Sequence, residues 1–202
     1  MDDEIMQCAI KYDANFTAGG LLHHEFLSLE TVILATGFEE AIKLEEYQNQ
    51  FVGINTVAAR KRVLSEVRRR IAHVPKEFWE QFYLWNEREQ VLGLFYVCLK
   101  TYKLVFDLHW EVTLKKYRTG GTLDAYSISM FLDELVSKDE YVASWSNTTI
   151  DKINGQYRKA LKDAGLFEKG TLRKPMGITE SFWTFFKTID KSWWMEACFV
   201  TL

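Results

Sequence analysis

The 202-residue chain is poor in the residues that interrupt helices and lacks the signals of several protein classes. Two prolines and eleven glycines, in a chain that is 48% apolar, favour a mainly helical globular protein. Three well separated cysteines, without CxxC or Cys/His spacing, predict reduced thiols and no disulfide framework. The N-terminal MDDEIMQCAIKYD has no basic segment followed by an apolar stretch, so we expect no signal peptide and a cytoplasmic location.

Long hydrophobic runs and a strong excess of one charge are also missing. The most apolar run, VLGLFYVCL at 91–99, is about half the roughly 20 residues that a membrane-spanning helix needs, so we expect no membrane association. The formal net charge is -3, whereas many nucleic-acid-binding domains are strongly basic. Any nucleic-acid binding must therefore depend on a local cluster of cations.

Sequence signals for catalysis are missing as well. His23, His24 and Glu25 are adjacent, and a helix would spread them over different faces instead of directing them at one metal ion. The chain has no Walker A loop, GxGxxG, GxSxG or Cys/His constellation. We therefore expect no enzymatic activity, no catalytic residues, no metal or cofactor and no small-molecule substrate.

The apolar spacing and the turn residues predict two closely packed parts, residues 1–119 and 120–202. The fold class expected is mainly α: a helical bundle with helix-turn-helix elements and a small C-terminal winged-helix-like β-hairpin. Predicted helices cover 21–34, 38–51, 57–71, a short stretch after Pro75, 87–117 with a break near 100–103, two between 122 and 145, 147–164 and 178–190. Gly170 marks the hairpin turn, and MEACFVTL at 195–202 is typical of a closing strand.

Side-chain placement within these elements is also predicted. The helix at 38–51 places Phe38, Ala41, Ile42 and Tyr47 near one apolar face and its glutamates elsewhere. The aromatic stretches FWEQFYLW and SFWTFFKTIDKSWW are interpreted as core, or as a protein-binding surface if part of them is exposed.

What the chain does contain is a dense set of cations, NTVAARKRVLSEVRRRI at 55–71. On a helical wheel, one side carries the apolar residues Val57, Val63, Leu64, Val67 and Ile71. The other side carries Lys61, Arg62, Arg68 and Arg69 around the small residues Ala58 and Ser65. Arg60 falls in the apolar arc, so we expect it to pair with a glutamate of the preceding helix or to snorkel. Two interpretations of this basic side remain: it contacts phosphates, or it is a solvated face whose charge is balanced by the acidic helix at 38–51.

The helix at 147–164, capped by Ser146, repeats this layout. Opposite its apolar seam lie Thr148, Lys152, Lys159 and Lys162 around Gly155, with Arg158 at the flank. The basic loop that follows, which includes Arg173 and Lys174, would form a wing along the nucleic-acid backbone. Two helices with the same arrangement favour nucleic-acid binding over two separate solvated faces.

Three segments, in order and spacing, make the chain resemble the BrxA family of type 1 BREX (bacteriophage exclusion) systems, formerly labelled as inner-membrane proteins. They are FTAGGLL at 16–22, INTVAARKRVLSEVRRRI at 54–71 and WSNTTIDKINGQYRKALKDAGLFEKG at 145–170. The resemblance implies a helical, non-enzymatic protein, distantly similar to NusB, that binds double-stranded DNA alongside other BREX proteins. SWWMEACFVTL at 192–202 departs from the family pattern, which leaves the role of the C-terminal segment open.

The sequence therefore predicts a DNA-binding component of a BREX system that contacts duplex DNA mainly through phosphates. Two alternatives remain: a protein-interaction subunit of the BREX complex, and an RNA-binding protein like NusB. The predicted DNA-contacting residues are Lys61, Arg62, Ser65, Arg68, Arg69, Thr148, Lys152, Lys159, Lys162, Arg173 and Lys174.

Overall fold

The structure, a computed structural model, describes residues 11–189 and 192–200. Up to residue 101 the chain forms a 3-10 turn at Asn15–Ala18 and then six helices. These are α1 His23–Ser28, α2 Glu30–Ile33, α3 Phe38–Gln48, α4 Val57–Ile71, α5 Lys76–Phe82 and α6 Glu87–Thr101. Side chains cap the two longest of these helices. Thr56 Oγ1 accepts the N–H of Ala59 at 3.3 Å, and Asn86 forms a capping box with Glu89.

The long apolar segment after Asn86 breaks at Tyr102, where φ is -117° and ψ is 108°. A second helical stretch then runs through α7 (Lys103–Asp107), a π-helical segment (Leu108–Leu114) and α8 (Lys115–Arg118). Almost every side chain of α6 after its first turn is buried, so this helix forms the centre of the molecule. The break predicted near residues 100–103 is confirmed.

The second part contains the remaining helices and one small sheet: α9 Ala125–Lys138, α10 Glu140–Ala143, α11 Asn147–Asp163, β1 Phe167–Glu168, β2 Thr171–Leu172, α12 Glu180–Ile189 and α13 Ser192–Ala197. β1 and β2 are antiparallel, with Phe167 opposite Leu172, and Thr122 makes an isolated bridge to Thr171. Gly170 lies in the turn with φ 86°. The predicted fold class, mainly α with a small C-terminal β-hairpin, is confirmed.

Aromatic side chains from both ends of the chain form the centre of the core. Trp85 of the α5–α6 connection stacks on Phe186 of α12, with ring centroids 5.7 Å apart. Tyr96 of α6 meets Trp194 of α13 edge to face at 5.2 Å. The aromatic C-terminal segment therefore packs against α5 and α6 as part of the core. Of the two interpretations of these aromatic stretches, core or protein-binding surface, the structure supports core.

Three details of the prediction are wrong. The closing strand expected at 195–202 is helical as far as Ala197, and residues 201–202 lie outside the described residues. Nearly every described residue from Trp193 to Phe199 is buried, and the Cys198 N–H donates to the Trp194 carbonyl at 3.0 Å, as in a helix. Tyr47 is 69% exposed, because Glu45 and Ile42 occupy the inward face of α3. Val57, expected in the apolar seam of α4, is 47% exposed at the first turn of the helix.

Candidate nucleic-acid interface

The predicted basic face of α4 divides into exposed and paired cations. Lys61, Arg62 and Ser65 are exposed, and the neighbouring Ala58 is exposed as well. The ammonium nitrogen of Lys61 lies 5.1 Å from the centre of the Tyr47 ring on α3. Among the described residues, Arg62 makes no ion pair or hydrogen bond. These side chains can reach a phosphate without giving up an existing ion pair.

Arg68 and Arg69 lie on the same helix but are half-buried in ion pairs. Arg68 Nη1 donates to Glu46 at 2.9 Å, and its Nε lies 3.3 Å from Glu39, so α3 neutralises this guanidinium. Arg69 binds Asp13 with two nitrogens, at 3.1 and 2.5 Å. Burial opposes the charged form of Arg69, but the hydrogen bond and charge of Asp13 raise the pKa of its guanidinium. Either residue must exchange a carboxylate partner in order to contact a phosphate.

Arg60 and Glu45 hold the connection between α3 and α4. Arg60 donates to the main-chain carbonyls of Glu46 at 2.8 Å and Ile54 at 2.6 Å, instead of pairing with a glutamate side chain. The buried Glu45 carboxylate accepts the N–H groups of residues 50, 51 and 52. The connection spans residues 49–56, which is longer than the roughly three- to four-residue turn of a helix-turn-helix. Glu45 and Arg60 together bond three N–H groups and one carbonyl of this connection, which stabilises its course between the two helices.

The second predicted helix, α11, presents a more open cationic face. Ser146 caps it, since its hydroxyl accepts the N–H of Thr149 at 3.2 Å. The predicted contacts on this helix are all exposed: Thr148, Lys152, Lys159 and Lys162. Lys159 pairs with Asp163 at 2.5 Å, whereas Lys152 and Lys162 have no ion pair within the described part of the chain. Gly155 is exposed too, and a Cβ added there would meet no atom within 4 Å.

The basic loop after α11 is the β1–β2 hairpin. Arg173, directly after β2, forms an ion pair with Glu168 of β1 across the hairpin, and Lys174 is exposed. Leu123 N–H donates to the Gly170 carbonyl at 3.1 Å, which fastens the hairpin tip to the segment before α9. The hairpin is therefore attached at its tip to the rest of the fold and follows the C-terminal end of α11 directly.

The segment at 15–22 lies between the two basic helices. Its 3-10 turn packs against both α4 and α11. Gly20 has φ 60°, and a Cβ there would lie 3.3 Å from the side-chain oxygen of Gln156 on α11. On the other side, Arg70 of α4 donates to the carbonyls of Gly20 and Leu21. The three segments that carry the resemblance therefore meet in space around one turn.

Comparison with known proteins decides the family. The BrxA family profile matches residues 10–187, which is most of the chain. The chain belongs to the BrxA family. A relative from Bacillus cereus (strain H3081.97), named BREX protein BrxA, is 25% identical over 152 residues, and the match covers 74% of each protein.

The BrxA-family chain also shares its fold with a solved structure. The crystal structure of an uncharacterized protein from Magnetospirillum magneticum superposes with a TM-score of 0.72 and 17% sequence identity. The match covers 93% of this chain and 97% of the other, so the likeness extends over both the N-terminal helices and the segment with the hairpin. At this identity the similarity shows the fold alone.

Sequence reasoning missed the buried polar group behind α4. Arg70 is fully buried and donates to Leu21 O at 2.9 Å, Gly20 O at 2.6 Å and the Tyr102 hydroxyl at 2.8 Å. The Tyr102 hydroxyl in turn donates to Glu66 at 2.6 Å. Glu66 and Arg70 are four residues apart on one helix, which was the available signal. This group fixes the 15–22 segment against the back of α4.

A second buried group fixes α11. His109, in the π-helical segment, bonds through Nε2 to the Ala197 carbonyl at 2.8 Å and through Nδ1 to the Tyr157 hydroxyl of α11 at 3.1 Å. Thr113 also bonds Tyr157, at 2.6 Å. Burial lowers the pKa of His109 to about 4, so the neutral ring is the form that fits this site. α11 is therefore held from its inner face while its cations point outward.

Metal sites and membrane-spanning helices find no support in the described residues. Within 11–189 and 192–200, no three His, Cys, Asp or Glu side chains cluster in a way that could hold a metal ion. No helix in this part of the chain combines the length and the hydropathy needed to cross a membrane.

Proposed function

We propose that this BrxA-family protein is a non-enzymatic, cytoplasmic, DNA-binding component of a BREX phage-exclusion system that contacts duplex DNA mainly through phosphates. Membership of the family and the name of the Bacillus cereus relative support a role in BREX and an association with other BREX proteins. The DNA ligand rests on the surface of the protein itself.

One observation carries the proposal: α11 presents Lys152 and Lys162, two exposed cations without an ion pair in the described chain, around the open position Gly155. A helix that approaches a DNA groove needs a low centre and long cationic edges that reach the phosphates. The isolated bridge at Thr122, the helices α9 to α11 and the β1–β2 hairpin follow one another in the chain, and we interpret them as a winged-helix-like unit. Lys174 extends the exposed basic surface beyond the hairpin, and Arg173 adds to it where a phosphate replaces Glu168.

α4 has the smaller share of this interface. Its accessible contacts are Lys61, Arg62 and Ser65, at the N-terminal and central turns. Arg68 and Arg69 join them only where a phosphate replaces Glu46, Glu39 or Asp13, and such an exchange recovers little net energy because an existing ion pair must break. No side chain on either helix is placed to identify a particular base, so we expect weak sequence preference.

Charge reversal on α11 tests whether this helix contacts DNA. We expect Lys152→Glu and Lys162→Glu to weaken binding to duplex DNA in fluorescence anisotropy, because each removes a cation that binds a phosphate and adds repulsion. Lys187→Glu is the matched control, since Lys187 is an exposed lysine on α12, outside the proposed interface. Equal affinities for all three variants would mean that α11 is not the contact surface.

A protein-interaction role is the second candidate, favoured by exposed apolar side chains on α9 and α10. Tyr126, Met130 and Tyr141 are each more than half exposed. If the wild-type protein does not bind duplex DNA, and Tyr126→Ala or Tyr141→Ala no longer assembles with other BREX proteins, this second function replaces the first. RNA as the ligand is decided by competition between duplex DNA and structured RNA for the wild-type protein.

A further inference from the structure

An exposed apolar patch lies along the edge where α3 meets α4. We call it the Tyr47 patch and define it by Leu44, Tyr47, Val57 and Lys61. Leu44 is 56% exposed, Tyr47 69% and Val57 47%. The contact of Lys61 with the Tyr47 ring joins the two helices, so these side chains form one surface.

Helical spacing makes the patch continuous. Leu44 and Tyr47 are three residues apart on α3, and Val57 and Lys61 are four apart on α4, so each pair lies on one helix face. Single exposed apolar side chains are common on protein surfaces. A contiguous group that includes an open aromatic ring and a cation is less common and is typical of a binding surface.

The charges around the patch are mainly positive. Three of the four glutamates on α3 are engaged elsewhere: Glu45 with the α3–α4 connection, and Glu39 and Glu46 with Arg68. The fourth, Glu40, is exposed one turn before Leu44 on the same face. Against this one carboxylate stand three exposed cations: Lys61 in the patch, Lys43 one turn before Tyr47, and Arg62, the neighbour of Lys61 in the sequence. The patch therefore offers an aromatic face in a setting that favours an anionic partner.

We propose that the Tyr47 patch binds an unpaired nucleobase, with the base stacked on the Tyr47 ring and the flanking phosphates on Lys61 and Arg62. The inference rests on the proposed nucleic-acid function and narrows it to a ligand class: single-stranded, gapped or forked nucleic acid at α3–α4, beside duplex at α11. Stacking on an exposed aromatic ring next to cations is the general means by which proteins hold unpaired bases. Lys61 lies over one face of the ring at 5.1 Å, and the exposure of Tyr47 leaves the ring accessible to a base.

The test compares one sequence as duplex, gapped duplex and single strand. We expect Tyr47→Ala to weaken binding to the gapped and single-stranded forms by about ten-fold and to leave duplex affinity unchanged, because only unpaired bases can stack. Tyr47→Phe keeps the ring and should bind like wild type. Tyr126→Ala is the matched control, since Tyr126 is similarly exposed, at 71%, on α9 outside the patch. A 2-aminopurine placed in the gap should be quenched by wild type and by Tyr47→Phe, but not by Tyr47→Ala.

Two results overturn the inference in distinguishable ways. If wild type binds duplex DNA but Tyr47→Ala binds every form as wild type does, the patch does not bind bases and the proposed function stands. If wild type binds none of the three forms, the base site and the proposed function fail together. A loss of affinity in Tyr126→Ala equal to that in Tyr47→Ala also contradicts a site at Tyr47.

Discussion

The cations of α4 occupy three different environments, although they are neighbours in the sequence. Arg60 and Arg70 are buried and donate to main-chain carbonyls, Arg68 and Arg69 pair with carboxylates, and Lys61 and Arg62 are exposed. The helical wheel identified Arg60 as the exception but not Arg70, since a wheel contains no information on which loop packs behind the helix. The carbonyls of Gly20 and Leu21 come from a segment about fifty residues earlier.

Truncation of Arg70 should lower stability more than truncation of Arg62. Arg70→Ala removes three donors and leaves two buried carbonyls and the Tyr102–Glu66 pair without a partner, so we expect a loss of about 3–5 kcal/mol. Arg62→Ala removes an exposed side chain and should change stability by less than about 0.5 kcal/mol. Urea unfolding of both variants provides the check, and equal losses would show that the buried group does not stabilise the fold.

His109 should make stability depend on pH. Its pKa is about 4 in the folded protein against 6.5 for the free side chain, so the unfolded chain binds the proton first as pH falls. The stabilisation from the neutral ring is therefore complete above pH 6.5 and declines between pH 6.5 and pH 4, by up to about 3 kcal/mol. Urea midpoints at several pH values measure it.

His109→Gln supplies the control for the pH dependence. Glutamine can still donate to the Ala197 carbonyl but does not titrate, so the part of the pH dependence that belongs to His109 should disappear. A variant whose stability falls with acidification as steeply as that of wild type would assign the effect to other groups.

At the scale of elements, apolar spacing and capping residues predicted where the helices lie. They did not always predict which side chains of a helix are exposed. Ser146 caps α11 as predicted, Asn86 caps α6, and of the two residues that could cap α4, Asn55 and Thr56, it is Thr56 that does so. The C-terminal strand was wrong, because a short apolar run fits a strand or a buried helix equally well. Tyr47 was misplaced because the polar Glu45 takes the inward position of α3 in order to cap the following connection.

Gly155 tests whether α11 approaches DNA closely. Gly155→Ala should raise stability by up to about 1 kcal/mol, because the site is helical and a Cβ there has open space. Gly155→Phe should fold equally well but weaken duplex binding, since a bulky ring would hold the helix away from the groove. Thermal unfolding and anisotropy measure the two effects, and unchanged duplex affinity in Gly155→Phe would place the DNA elsewhere.

At the scale of the whole molecule, the net charge of -3 concealed an uneven distribution. Acidic side chains of α3 neutralise part of α4, while α11 and its hairpin keep exposed lysines. The mainly helical class and the hairpin could be predicted from local sequence. The meeting of α4 and α11 around the 15–22 segment could not, because packing between distant segments leaves no local pattern. The division at 119/120 stays a prediction, and buried residues from both sides of it share one core.

Salt dependence of duplex binding tests the central claim, phosphate binding by α11, most directly. Anisotropy titrations of wild type and of the Lys152→Glu/Lys162→Glu double variant should be run from low to moderate salt with the same duplex. We predict a linear fall of log affinity with log salt for wild type, and a slope smaller by about 0.9 for each phosphate that the double variant no longer binds. Duplex affinity that stays constant across the salt series, or identical slopes for the two proteins, would contradict this claim.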